Sequence, residues 1–247
     1  MNLDNQIALV TGGASGMGKA CAEYLQQHGM KVVIWDRQKD TASKADLALN
    51  CDVTSEASVE QAMKETIAQV GTPRVCINCA GIAPAKRIVG KEGAMPLSDF
   101  KQVIEVNLIG TFNVMRIVAH AMSGLEIDAK SQERGVIINT ASIAAFEGQI
   151  GQAAYSASKG GIVSMTLPAA RELARFAIRV NTIAPGLFAT PLLLNMPQEV
   201  QDNLASTITF PKRLGKPEEF ALMAKLIIEN GMMNGAVVRL DGALRMQ

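Results

Sequence analysis

The chain has 247 residues, 48% of them hydrophobic and only 4% aromatic. It is long enough for one well-buried core and short of what usually forces a second, so one domain over residues 1–247 is expected. Its 24 Lys and Arg against 23 Asp and Glu leave a formal charge of +1, which gives no electrostatic footprint for nucleic acid or an anionic membrane. No apolar run approaches bilayer-spanning length. The expected partners are small molecules and further copies of the chain. A strand candidate starts almost at the N-terminus and the first basic residue is Lys19, leaving no room for a presequence or Arg-rich transit segment, so the expected compartment is the cytoplasm.

In chain order, short apolar β-branched runs predict strands over 7–10, 31–35, 47–51, 75–78, 136–140, 179–183 and 236–240. Helical periodicity predicts helices over 18–27, 58–69, 100–122, 154–176 and 217–229. This alternation implies right-handed βαβ units. The fold class expected is α/β, a Rossmann-type domain whose doubly wound seven-stranded parallel sheet carries helices on both faces. Three stretches interrupt the alternation, at 83–98, 126–135 and 187–210. The second is charged and reads as a solvated loop. The third is unusually apolar, with Leu187, Phe188, Leu192, Leu193, Leu194, Met196, Ile208 and Phe210. An oligomer contact would account for it, but a lid over an apolar substrate is preferred because it directly follows a strand.

The four cysteines are Cys21, Cys51, Cys76 and Cys79. Cys76 and Cys79 have the spacing of a zinc or redox pair, but His28 and His120 lie far off in helical contexts, so no metal is expected and the pair reads as small apolar residues at a buried strand.

After the first strand comes Thr11-Gly12-Gly13-Ala14-Ser15-Gly16-Met17-Gly18. Glycines there let backbone N–H groups close on a pyrophosphate at the start of a helix. Asp36 ends the next strand about twenty residues on, where a carboxylate accepts hydrogen bonds from the adenosine ribose hydroxyls. The same carboxylate repels a 2′-phosphate, which favours NAD over NADP. Arg37 beside it points the other way, since a guanidinium can pair with phosphate.

Farther on the spacing is Ser142-x12-Tyr155-x3-Lys159. It places a phenol and an ammonium one helical turn apart on one face, with a hydroxyl delivered from a preceding strand. Oxidising an alcohol by hydride transfer needs a base near neutrality. A phenol starts too weak, with a reference pKa of about 10, and needs roughly three units of lowering, worth about 4 kcal/mol, from the Lys159 ammonium and a cationic nicotinamide together. Ser142 would steady charge on the substrate oxygen.

With these motifs the chain resembles the short-chain dehydrogenase/reductase family along almost its whole length. The resemblance implies that Ser15, Met17, Asp36, Asp52, Val53 and Cys79 contact the dinucleotide. Phe188 and Thr190, after Pro185-Gly186, would reach the nicotinamide carboxamide, and Lys159 would also hold a ribose. Ser15 occupies a position where NADP-using relatives often carry a base, which again favours NAD. Asn107 matches the family Asn that bends its helix and links Lys159 to a water relay. The usual second Asn of Asn-x-Ala-Gly is Cys79 here.

Asn139 to Ser142, Ala144 to Gln149, Ala184 to Phe188 and Arg239 to Ala243 are similar to the type II short-chain 3-hydroxyacyl-CoA dehydrogenases, also described as type-10 17β-hydroxysteroid dehydrogenases. That likeness implies a homotetramer oxidising short (S)-3-hydroxyacyl-CoA esters with NAD, with Gln149 contacting substrate beside Ser142. Lys86, Arg87, Lys91, Lys212 and Arg213 are candidates for the CoA phosphates, and surface solvation accounts for them equally well. Two other readings stand: a dehydrogenase of hydroxysteroids or other apolar secondary alcohols, and a dinucleotide-binding regulatory protein without catalysis. The short connection 37–46 implies that the helix expected there is shortened or lost.

Overall fold

The alternating pattern resolves, in a computed structural model describing residues 1–38 and 44–246, into β1 (Ile7–Thr11), α1 (Gly16–Gln27), β2 (Lys31–Asp36), β3 (Leu47–Asn50), α2 (Glu56–Gln69) and β4 (Val75–Asn78). A hairpin of β5 (Val89–Gly90) and β6 (Gly93–Ala94) follows, then α3 (Leu97–Ile104), α4 (Gly110–Ser123), β7 (Gly135–Thr140), α5 (Ala153–Leu173) and β8 (Ile178–Pro185). The chain closes with α6 (Pro191–Leu194), α7 (Gln198–Ser206), α8 (Pro217–Glu229) and β9 (Val237–Leu240). Seven strands form a parallel sheet in the order β3-β2-β1-β4-β7-β8-β9. All seven predicted strands are in it.

Continuous apolar runs suit these strands because both faces are covered. Successive residues point to opposite sides: Ala8, Val10, Val32, Ile34, Val75 and Ile77 pack under α1 and α8, while Leu9, Val33, Trp35, Cys76 and Ile137 pack with residues of α2 and α4. The same alternation separates the two halves of the Cys-x2-Cys pair. Cys76 lies in the second layer, and Cys79, just past the strand, packs against the first.

Two stretches depart from the sequence expectation. The helix that periodicity predicts over 100–122 is broken by a five-residue π turn, Glu105–Ile109, between α3 and α4, at the Asn107 that the resemblance marks as bending its helix. Its cause is Asn107, fully buried, whose Oδ1 accepts from Ile82 N at 2.8 Å and whose Nδ2 donates to Ile82 O at 2.9 Å and to Ser158 Oγ at 3.0 Å; a wider turn is what lets that side chain reach inward. The stretch 187–210 contains α6 and α7, which start at Pro191 and just after Pro197, positions where proline's fixed φ favours a helix start. The shortened helix expected between β2 and β3 falls mostly on residues 39–43, outside the described residues; Gln38 and Ala45 on either side are not helical.

Arg179, at the start of β8, holds the sheet to α8. It is buried, pairs Nε with Glu133 Oε2 at 2.6 Å, and donates to Ile227 O and Ile228 O, both at 2.8 Å, and to Met233 O at 2.9 Å. A cation belongs at these end-of-helix carbonyls. Arg179→Met would strand the carbonyls and leave Glu133 to the N-terminal ammonium of Met1, 3.1 Å from its Oε1, costing about 3 kcal/mol. The check is the urea midpoint, which should fall with an unchanged slope.

Candidate active site

Winding reverses between β1 and β4: from β1 the chain builds outward through β2 and β3, then returns to β4 on the other side. A crevice opens beyond the carboxyl ends of strands at such a point, and the glycine turn occupies it. Gly12 has φ +66°, and a Cβ there would lie 2.7 Å from Ala80 N. A Cβ at Gly18 would overlap the Gly12 carbonyl oxygen. Both must be glycine for the turn to close against the loop after β4. Ser15 precedes α1 in an extended conformation, and its side chain does not cap the helix. The first amides of α1 are left for an anion.

Asp36 is fixed at the end of β2. Its Oδ2 accepts from Ala14 N at 3.1 Å and its Oδ1 from Gln38 N at 2.9 Å, which ties the carboxylate to the glycine turn. On the far side, Cys79 N and Ala80 N donate to Thr11 Oγ1 at 3.2 and 3.3 Å. Asp52 Oδ1 accepts from Thr54 N and Oγ1 at 2.9 and 2.7 Å. Burial works to raise the Asp52 pKa, but these bonds and the nearby Arg37 charge hold it below the usual carboxylate value. Val53 is buried against α4, its carbonyl bonded to Asn113. Met17 packs against the core from α1. An extended dinucleotide fits the crevice: uncapped amides for a pyrophosphate, a fixed carboxylate for a ribose diol, and an apolar wall at Val53.

The later residues reach the same crevice unequally. A Cβ on Gly16 would lie 3.5 Å from Thr190 Cγ2, so the start of the 187–210 stretch leans over the glycine turn. Phe188 does not offer its ring. It is buried edge-on to Phe220, with centroids 6.5 Å apart, leaving its backbone as the part able to face a carboxamide.

Ser142, Tyr155 and Lys159 converge as their spacing implies. Ser142 follows β7, accepts from Ala144 N at 3.1 Å, and is close enough to the Tyr155 phenol to act on its ionisation. Burial raises the Tyr155 pKa and the Ser142 bond opposes that rise. Lys159, one turn along α5, is buried, and burial lowers its pKa to about 8. Its Nζ donates to Thr140 O at 2.8 Å and stands 5.7 Å from the Tyr155 ring centroid. Thr140 O is thus the anchor that holds the ammonium beside the phenol ring. Asn107 spends its amide on Ile82 and Ser158, and Ser158 Oγ in turn donates to Tyr155 O at 2.7 Å. It thus fixes the first turn of α5, and Gly81 lies close to both Asn107 and Lys159: a Cβ there would be 3.1 Å from Asn107 Oδ1 and 3.7 Å from Lys159 Nζ. A phenol held between a hydroxyl and an ammonium can exchange a proton with an alcohol or carbonyl oxygen.

The short chain dehydrogenase family profile matches residues 6–201. The chain belongs to the short-chain dehydrogenase/reductase family. It is 54% identical to the 3-hydroxyacyl-CoA dehydrogenase type-2 of Bos taurus over 98% of this chain and 95% of that one. Identity to the Drosophila melanogaster protein of the same name is 47%, over 99% of both chains. The crystal structure of 3-hydroxyacyl-CoA dehydrogenase type-2 from Mycobacterium avium superposes with a TM-score of 0.90 at 41% identity, covering 98% of this chain and 97% of that one. As a short-chain dehydrogenase/reductase the protein is an oxidoreductase using a nicotinamide dinucleotide.

In this short-chain dehydrogenase/reductase a cleft of about 550 Å³ is lined by Lys86, Arg87, Ile88, Gln149, Ile150 and Ser156 among others, and its wall reaches the first turns of α5 at Ala153 and Ser156 without including Ser142, Tyr155 or Lys159. Gln149 is thus brought to the same cleft as Lys86 and Arg87. Lys86 is paired with Asp99, and Arg213 is held by both carboxylate oxygens of Glu219 at 2.8 and 2.7 Å. Lys91 sits in the β5–β6 turn and Lys212 is exposed. Among the described residues no group of three His, Cys, Asp or Glu side chains is placed to hold a metal, and no helix is long and apolar enough to cross a membrane. The sequence reading missed the Thr140 anchor and the contact of Cys79 with Cys21 across α1. Hydrogen bonds from Cys21 and Thr140 lower the Cys79 pKa, aided by the Lys159 charge, while Cys21 is raised. Neither has a signal in sequence, since one uses a carbonyl oxygen and the other joins residues 58 apart.

Proposed function

We propose that the enzyme catalyses the reversible oxidation of a short-chain (S)-3-hydroxyacyl-CoA to the 3-oxoacyl-CoA with NAD, Tyr155 acting as general acid and base. The observation that carries the substrate is the 54% identity over 98% of the chain with a 3-hydroxyacyl-CoA dehydrogenase type-2; the chemistry is supported by the grouping of Ser142, Tyr155 and Lys159. When bound, the dinucleotide supplies the hydride acceptor. Tyr155 Oη takes the proton of the C3 hydroxyl, Ser142 Oγ holds that oxygen, and the Lys159 ammonium favours the phenolate. In the reverse direction Tyr155 returns the proton. Gln149 faces the thioester side of the substrate from the cleft, and 187–210 acts as a lid over it.

NAD is favoured because Asp36 is pinned by Ala14 and Gln38 where a 2′-phosphate would stand. Asp36→Ala should raise the KM for NAD by about tenfold or more, as expected for losing hydrogen bonds to a charged group, and increase the relative use of NADP; kcat/KM with each dinucleotide checks this.

A second reading, an apolar secondary alcohol such as a hydroxysteroid, draws on the exposed Leu194, Met196, Val200 and Phe210 of the lid. NADH formation with NAD and (S)-3-hydroxybutyryl-CoA, run beside a hydroxysteroid and beside NADP, decides between the readings. Turnover of the steroid alone would overturn the first. We also infer a homotetramer, supported by exposed Phe112 on α4, Leu167 on α5, and Leu222 and Leu226 on α8; light scattering tests it. All four cysteines are free thiols, which suits a reducing compartment, and we place the enzyme in the cytoplasm.

A further inference from the structure

Two segments singled out in the sequence, Ala144 to Gln149 and Arg239 to Ala243, are joined in space, although 92 residues separate Glu147 from Arg239. Arg239, in β9, grips Glu147 with both ends of its guanidinium, Nη1 to Oε1 at 2.8 Å and Nη2 to Oε2 at 2.9 Å. Its Nε donates to Asp241 Oδ2 at 2.7 Å, its Nη2 also to Leu244 O at 3.0 Å, and its guanidinium lies 5.2 Å from the Phe146 ring centroid. Arg245 adds a longer contact to Glu147 Oε1 at 3.4 Å and another to Asp241 at 3.2 Å. A planar fork engaged at this many points fixes direction as well as distance.

What the fork holds is the loop that begins at Ser142. From Ser142 the chain makes a 3-10 turn at Ile143–Ala145 and runs through Phe146 and Glu147 to Gln149 in the cleft. The segment just after Arg239 also ties down the base of the lid: Phe210 N donates to Gly242 O at 3.1 Å and Thr209 Oγ1 to Ala243 O at 3.2 Å. Ile143, Ile208 and Leu244 form one buried cluster, with Leu187 and Leu214 packed on it. One short stretch of chain therefore contacts the loop carrying Gln149 and the two ends of the lid.

We propose that Arg239, through Glu147, is a positioning residue for the substrate: it sets the spacing between the Gln149 loop and the base of the lid, and so the fit of the group attached to the reacting carbinol. This rests on the proposed function only in taking that loop and lid as the substrate-facing walls. Arg239 and Glu147 are 22% and 25% exposed and belong to neither large core layer, so their bidentate pair stabilises chiefly the local join between the Gln149 loop and β9. Losing the pair should leave the fold standing while freeing one wall of the cleft.

The test compares wild type with Glu147→Gln, Glu147→Asp and Arg239→Lys by steady-state kinetics and by amide hydrogen exchange. Glu147→Gln should raise the KM for the alcohol substrate by about tenfold while kcat stays within about threefold, the split expected for lost binding common to ground and transition states. The KM for the dinucleotide should not move. Exchange over 143–149 and 207–210 should quicken together, and Glu147→Asp, which keeps the charge, should restore part of both effects. An unchanged substrate KM would overturn the proposal. So would parallel losses in substrate KM, dinucleotide KM and thermal midpoint, which mark a general structural role. If wild type turns over no CoA ester, the proposed substrate fails; the variants are then compared on the secondary alcohol it does oxidise, and the exchange comparison stands without any substrate.

Discussion

Tyr155→Phe should lower kcat by about 10³-fold or more, since a positioned acid–base group contributes about 10²–10⁴-fold and Tyr155 is the titratable group on which Ser142 acts. The ring is retained, and with it the packing beside Lys159. NADH affinity should stay within about threefold by fluorescence titration, and the thermal midpoint should barely move, because one lost hydrogen bond is worth about 1 kcal/mol. Retained turnover would remove Tyr155 from the chemistry and leave Ser142 and Lys159 without a proton carrier between them. Lost turnover together with lost NADH binding would instead mean that the phenol holds the dinucleotide.

Lys159→Met should cost about 10²–10³-fold in kcat/KM, the size of effect seen when a preorganised charge is removed from a dry site. The pH profile is the more telling readout. In the wild type, burial raises the Tyr155 pKa against the opposing pull of Ser142; in the proposed mechanism the Lys159 ammonium adds to that pull once the dinucleotide is bound, until Lys159 itself loses its proton at about 8. Alcohol oxidation rises as the phenol ionises, so deleting the ammonium should move that rise to higher pH. Stability rises with pH as well, because the charge that activity needs is one that burial disfavours. The folded pKa of about 8 lies below the unfolded value of about 10.4, so the native state binds fewer protons in that window and stability increases with pH through it. At pH 7 the fold carries the full cost of the buried ammonium. Lys159→Met should therefore be no less stable than wild type at pH 7, and its lost turnover cannot then be ascribed to unfolding.

The sheet was legible because a strand buried on both faces is a short apolar run, as β1, β2, β4, β7 and β8 are, and the half-buried edge strands β3 and β9 kept the same β-branched or aliphatic character. The glycine turn and the Ser142, Tyr155 and Lys159 spacing were legible because each depends on local geometry, a turn or one helical pitch. The π turn at Glu105–Ile109 was legible only through the family resemblance, which marks Asn107 as the residue that bends its helix, and not from the helical periodicity of 100–122. Its residues have ordinary helical character, and only the backbone of Ile82 and the hydroxyl of Ser158, distant in sequence, draw Asn107 inward. The anion candidates divided for a similar reason: Arg213 resembles Arg87 in sequence but is engaged by Glu219, whereas Arg87 lines the cleft.

The sequence by itself determined the class of sheet, the dinucleotide turn, the fixed acid at Asp36 and the face of α5 that bears the phenol and the ammonium, because all of these follow from periodicity and short-range sterics. Only the tertiary structure decided that Thr140 O anchors Lys159, that Phe188 turns its ring into the core, and that Arg239 binds Glu147 across the chain. These depend on partners many residues away, and no local pattern of residues encodes which distant backbone oxygen or carboxylate the packed sheet will bring within reach.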